Sequence, residues 1–417
     1  MSTEGFRAVR TLAALALGVA ALAPPASAAQ VDFRPNLTFG LFHTGNIQVI
    51  GGDAIGDDSA AVAIDLPVER ISATGTFRFL YQGTYVGYRQ NSGFNYMGNL
   101  VAASYVKEIS RRSHMQAGGG VLRTDTQGVA AASINSEGLA NANADRPLTF
   151  LPRTTITHGY GTVSGTVGVA RRGLVDWSVS AGIDRYDEVP GVVFNNSTSA
   201  AVLGGWRYEL SERTTLGFAV GGDWFGYDAT DDSVSGTVAL TGTHQLGRDT
   251  TMTFAAGATR TTTAGLSSTS GRFLLSFERA LTETSSFSAG VRQSVTPGTG
   301  LQAATNDTGG WVSYTPWNPR NGLYGALDGA YWFRKTIPTD NTPSTETQTL
   351  NVAGALGWRF NRFLSLSAAY AYFYQQDRSD AASELNTSYP SYGLFLRWSI
   401  RGFVRAPDLG GRGPRGI

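Results

Sequence analysis

Residues able to perform acid–base, nucleophilic or metal chemistry are few in this chain, and they are scattered. Its 417 residues hold four histidines, His43, His114, His158 and His244, and no cysteine. None of the four stands at a close metal-ligand spacing from another, so a zinc centre is not expected, and no cofactor is. One nucleophile–base pairing offers itself: His158, within Thr155–Tyr160, with Ser164 on the same segment. Such a spacing is also expected by chance where serine is this frequent. Neither a P-loop nor a dinucleotide fingerprint occurs; the Gly118–Gly120 run sits inside an extended segment, where it serves close packing. A net charge of +1 provides no basic field for nucleic acid. The residue types point away from an enzyme.

The elements that carry these residues read as strands throughout. Apolar and polar residues alternate in segments of ten or so, each cut by a turn cluster. Val175, Trp177, Val179, Ala181 and Ile183 alternate with Asp176, Ser178, Ser180, Gly182 and Asp184. Leu216, Phe218, Val220 and Trp224 alternate with Thr215, Gly217, Ala219 and Asp223. Leu350, Val352, Leu356 and Trp358 alternate with Asn351, Ala353, Ala355 and Arg359. A soluble sandwich would show the same period. Two features favour a barrel: the second face stays small and polar on segment after segment, and the meander is unbroken.

The connections alternate too. Short ones stand at Ser110–Ser113, Ala170–Gly173, Ser211–Thr214, Gly247–Thr250, Thr282–Ser285, Asn318–Asn321 and Asn361–Phe363. Longer ones include Thr44–Ser59, Thr124–Leu151, Asp187–Asn195, Pro297–Asn306, Ile337–Thr345 and Asp377–Ser388. The expectation is an all-β fold: a single transmembrane antiparallel up-and-down barrel of about 18 strands, in a range of 16–18, with short periplasmic turns and longer extracellular loops. Met1–Ala29 reads as a cleaved signal peptide: Arg7 and Arg10, an apolar core over Thr11–Ala23, then Ala26-Ser27-Ala28 as the cleavage site. Residues 30–403 form the barrel and 404–417 a disordered periplasmic tail. The implied location is the outer membrane of a Gram-negative bacterium.

Parity assigns the faces. Arg78, Arg207, Arg272, Arg292, Arg359 and Arg397 point inward, with Asp65, Asp176, Asp184, Asp223, Glu278 and Asp328. Such a lining either pairs its charges across strands or sets selectivity, arginine favouring anionic solutes. Inward Tyr186, Tyr227, Tyr324 and Trp332 either stack on sugar rings or plug and stiffen the wall. Outward aromatics fall into two girdles at the lipid interfaces: Trp206, Tyr208, Trp358, Phe360 and Trp398 near short turns, and Trp224, Tyr331, Phe333, Tyr372 and Tyr374 near long loops.

Ser391–Trp398, which runs polar-x-Gly-x-x-apolar-x-apolar, resembles the signal by which the barrel-insertion machinery recognises its clients. The opening Arg34-Pro35-Asn36-Leu37-Thr38-Phe39-Gly40, followed by Thr44-Gly45-Asn46-Ile47, resembles that of β-barrel porins found in exopolysaccharide gene clusters, with Gly45 where those carry Asp. The units Ile109–Thr126 and Glu212–Asp228 are similar as well. What the resemblance implies is an outer-membrane pore through which a secreted polysaccharide leaves, served by a periplasmic polysaccharide export protein. A general or solute-specific diffusion porin would need the same wall. A lipid-modifying barrel enzyme built on His158 and Ser164, and a plugged structural or adhesive barrel, are the other readings.

Overall fold

The computed structural model describes residues 30–47, 55–126, 153–189, 194–282, 285–296, 304–318, 322–337, 345–379 and 382–399. The expected signal peptide, the tail and most of the Thr124–Leu151 link lie outside these. Among the described residues twenty strands follow one another: β1 (Gln30–Phe33), β2 (Asn36–Thr44), β3 (Asp57–Ser72), β4 (Gly75–Tyr88), β5 (Tyr96–Ser110), β6 (Ser113–Asp125), β7 (Thr155–Gly168), β8 (Gly173–Tyr186), β9 (Ser197–Ser211) and β10 (Thr214–Tyr227). They continue with β11 (Ser233–Gln245), β12 (Thr250–Thr263), β13 (Leu266–Ala280), β14 (Ser286–Thr296), β15 (Thr305–Thr315), β16 (Trp317–Asn318), β17 (Leu323–Thr336), β18 (Thr345–Arg359), β19 (Leu364–Ser379) and β20 (Ala382–Ser399).

Two of these are continuations. Pro35 and Pro316 each lack the N–H that a ladder needs, so β1 and β16 are split from β2 and β15 by a proline. That leaves 18 staves. Each pairs antiparallel with the next in sequence, and β2 meets β20 from Asn36↔Ser399 to Thr44↔Ser391. The ring is closed, and no described stave of it keeps a free edge.

Alternation settles what each face meets. On β11, Val234, Val238 and Leu240 stand 55%, 62% and 55% exposed outside, while Ser233, Ser235 and Thr237 are buried inside. There they meet Thr263, Thr261 and Thr259 of β12 in a hydroxyl ladder at 2.7, 2.9 and 2.9 Å. The register that aligns these pairs follows from the sequence, since a slip by one residue would turn every apolar side chain inward.

The short turns fall at one end of the barrel, as their spacing implies. The other end holds the longer links, with two exceptions. β12 and β13 are joined by Ala264-Gly265 alone, at φ 49° and 83°, a two-residue hairpin whose positive dihedrals match strand twist. The second corrects an expectation. Asp377–Ser388 is no long loop, because β19 runs on to Ser379 and β20 starts at Ala382, pairing Asp377 with Leu385. Cross-strand pairing carries the hairpin past the point where the apolar–polar alternation is spent.

The inward face also departs from the expected small, polar pattern on one side. Phe42, Phe373 and Phe395 of β2, β19 and β20 point inward, and pack with Ile47, Val86 and Tyr88. Ile47 belongs to the link after β2 and is fully buried. An apolar cluster therefore sits inside the wall, covering surface that period two alone would have exposed to water.

Candidate functional site

The interior of the barrel is where polar and ionisable side chains gather, because strand parity sends them there. Several of the inward charges meet partners across strands. Arg207 of β9 grips Asp176 of β8 with two donors, Nη2 at 2.7 Å from Oδ1 and Nε on Oδ2, and Thr166 of β7 donates to the same carboxylate at 2.7 Å. Arg78 meets Glu69, its direct cross-strand neighbour, at 2.8 Å. Asp184 holds His158 Nδ1 at 2.6 Å and accepts from Ser197 at 3.3 Å.

The remaining predicted lining residues occupy distinct places. Arg359 of β18 and Arg397 of β20 both stand opposite Ser365 of β19, a row that sets two guanidinium groups near the short-turn end. Arg292 lies with its guanidinium 5.1 Å from the ring centroid of Trp332. Asp328 is buried and stands opposite Ser313. Asp223 faces Ser235 across the β10–β11 ladder, Arg272 faces Gly257 across β12–β13, and Glu278, on the inward parity, lies exposed between Thr251 and Ser288. Asp65 stands opposite Asn36.

Outside, Trp206, Tyr208, Trp224, Tyr331, Trp358, Phe360 and Trp398 are all exposed large apolar side chains, from 37% for Tyr208 to 58% for Phe360. Phe333, Tyr372 and Tyr374 share the outward parity and are partly covered by neighbours.

Three of the four inward rings thought able to stack on sugars have no free face. Tyr186 is 9% exposed and stacks on Phe194 at 5.1 Å; Tyr227 is 9% exposed; Trp332 is 2% exposed under Trp311, ring centroids 6.4 Å apart. Tyr324 keeps its hydroxyl buried.

Two buried ion pairs escaped the sequence reading. Arg334 Nε donates to Asp307 Oδ1 at 3.0 Å, the side chains 5% and 0% exposed, and Thr296 and Thr305 add hydroxyl donors at 2.7 and 2.9 Å. Parity on β15 and β17 would have placed both charges inward. Arg153 reaches Asp125 at 2.8 Å and lies over the rings of Phe94, Tyr96 and Tyr88 at 4.7, 5.7 and 5.3 Å. It sits in a link, where no periodicity could have signalled it.

The pairing of His158 with Ser164 is not made. Six residues along one strand separate them by about 20 Å, and Ser164 stands opposite Gln116 and Ser178. The other histidines lie apart, His43 on Asp58 at 2.9 Å, His244 on Thr214 at 2.9 Å, and His114 opposite Thr166. Among the described residues no three His, Asp or Glu side chains converge.

No family model matches this chain, and no curated protein does. Solved structures similar to it include OccK2 (OpdF) of Pseudomonas aeruginosa, at 12% identity and a TM-score of 0.42, over 89% of this chain and 99% of that one. The FrpB iron transporter of Neisseria meningitidis stands at 9% and 0.43, over 88% and 81%. The siderophore receptor PirA of Pseudomonas aeruginosa stands at 8% and 0.40, over 88% and 80%.

Proposed function

We propose that this chain is an outer-membrane pore of a Gram-negative bacterium, reached after cleavage of the Met1–Ala29 signal, through which a secreted polysaccharide passes to the cell surface. The observation that carries the pore is the closed wall with its two faces. A ring without edges satisfies its own backbone, which a hydrocarbon environment demands, and its outer surface is a continuous band of Val, Leu, Ile and aromatic side chains. Eighteen staves enclose enough room for an aqueous passage.

The substrate rests on the sequence resemblance to barrels of exopolysaccharide clusters, and the inner wall is compatible with it. Arg207–Asp176 and Arg78–Glu69 neutralise each other at close range, which leaves a polar lining of little net field on the parts of the wall formed by β3–β4 and β8–β9. A long hydrated polymer can slide past such a surface without being held at one strong charge. The conduit is passive, driven from the inner side by a periplasmic polysaccharide export protein, and Ser391–Trp398 is its handle for the barrel-insertion machinery.

Two measurements test this reading. Refolded protein in a planar bilayer is expected to conduct, and a strain lacking the gene is expected to lose surface polymer. Conductance with normal surface polymer would leave a diffusion porin in place of an export pore. A silent bilayer would overturn the pore itself.

A further inference from the structure

Resting on the pore reading, a site for one pyranose ring can be located on the inner wall. β7 carries one aromatic ring that faces inward and stays open. Tyr160 is 44% exposed, in contrast to the covered Tyr186, Tyr227 and Trp332. Its inward direction follows from its cross-strand partners Gly120 and Gly182, which share parity with inward Asp184 and oppose the parity of outward Ile183 and Val121.

Several features hold the ring. It stacks on His158, centroids 5.8 Å apart and planes 25° apart, and His158 is fixed by Asp184 at 2.6 Å. Gly120 makes room beside it: a Cβ there would stand 3.1 Å from Tyr160 Cε1 and 2.7 Å from the carbonyl of Val101. With no side chain on either flanking residue, the ring projects above a low floor.

Beside the ring lies a concavity of about 480 Å³, lined by Tyr160 together with Glu69, Arg78 and Gln116. These supply the two kinds of contact a pyranose needs. A flat aromatic face covers the apolar C–H side of the sugar, and a carboxylate, a guanidinium and an amide offer acceptors and donors for hydroxyls at its edge. Arg78 remains 66% exposed even while bound to Glu69, so its outer N–H groups are open to a ligand. We propose that Tyr160, flanked by His158, Arg78, Glu69 and Gln116, is a saccharide-stacking station inside the lumen, where one sugar unit rests at a time.

The test uses the full mature protein in planar bilayers, with a β-1,4-linked glucose hexamer as probe, and reads the dwell time of current interruptions. Loss of one aromatic stack is expected to shorten dwell in Tyr160→Ala by about fivefold. Tyr160→Leu, similar in bulk without a flat face, is expected to behave alike, and Tyr160→Phe to stay within about twofold of wild type. Tyr105→Ala, which removes an outward ring on β5, is expected to leave dwell unchanged. A conducting wild type whose dwell matches Tyr160→Ala and Tyr160→Leu, or which the hexamer never interrupts, overturns the station and leaves the pore standing. A wild type that never conducts overturns the pore reading, and the station with it.

Discussion

The Asp307–Arg334 pair should be the most sensitive point of the described wall. Both side chains are almost wholly removed from solvent, at 0% and 5% exposure, and the carboxylate also gathers the hydroxyls of Thr296 and Thr305. Asp307→Asn keeps the shape and deletes the charge. Arg334 then keeps a buried positive charge without the carboxylate that now faces it at 3.0 Å. Breaking a buried pair from one side costs about 3–5 kcal/mol, because the desolvation of the remaining ion is then less fully compensated. That corresponds to roughly a hundredfold to several-thousandfold loss in the folding equilibrium constant. The double change Asp307→Leu with Arg334→Met removes both charges and should recover most of that loss, since apolar residues of similar size replace buried pairs at little net cost. Urea titration of the barrel in detergent, followed by tryptophan fluorescence, measures both. A single variant costing under about 1 kcal/mol, or a double variant as unstable as the single, would refute the claim that desolvated charge dominates here.

Three further outcomes are expected. Val238→Arg, on the outward face midway along β11, should destabilise the barrel in lipid by about 2–4 kcal/mol, whereas Glu278→Gln, on an exposed inward position, should change it by less than about 0.5 kcal/mol; equal effects would mean that the outer face does not meet hydrocarbon. Ala264→Asn should raise the urea midpoint by an amount equivalent to up to about 1 kcal/mol, because alanine at φ 49° bears a left-handed penalty that asparagine bears less. Replacing both Arg359 and Arg397 by Glu should shift the reversal potential in a salt gradient toward cations, and an unchanged potential would remove that row from the ion path.

Much of the architecture was legible without coordinates. Period-two alternation such as Val234, Gly236, Val238 and Leu240 against Ser235, Thr237, Ala239 and Thr241 specifies both strand and face, because the pleat sends neighbours to opposite sides. Turn clusters such as Ser110-Arg111-Arg112-Ser113 then divide the meander into 18 staves. The same parity sent Arg207, Asp176, Asp184 and Arg78 inward. Each of these is a local property, readable within a dozen residues.

What required the tertiary structure is what depends on staves far apart in sequence or on how deeply a side chain is covered. Closure of β2 on β20 joins residues more than three hundred apart, and nothing local in Asn36–Thr44 names Ser391–Ser399 as its partner. Tyr160 and Trp332 have the same inward parity, yet one is open and the other lies under Trp311 and Arg292. Parity gives direction without depth. Arg153 lies outside any strand, and its place among Tyr88, Phe94, Tyr96 and Asp125 exists only once two neighbouring links are brought to the same rim. Alternation along the chain determined which way each residue points, since that is decided by backbone pleat alone; contact across the closed ring decided which of those residues still meet water, since that is decided by volume shared among distant strands.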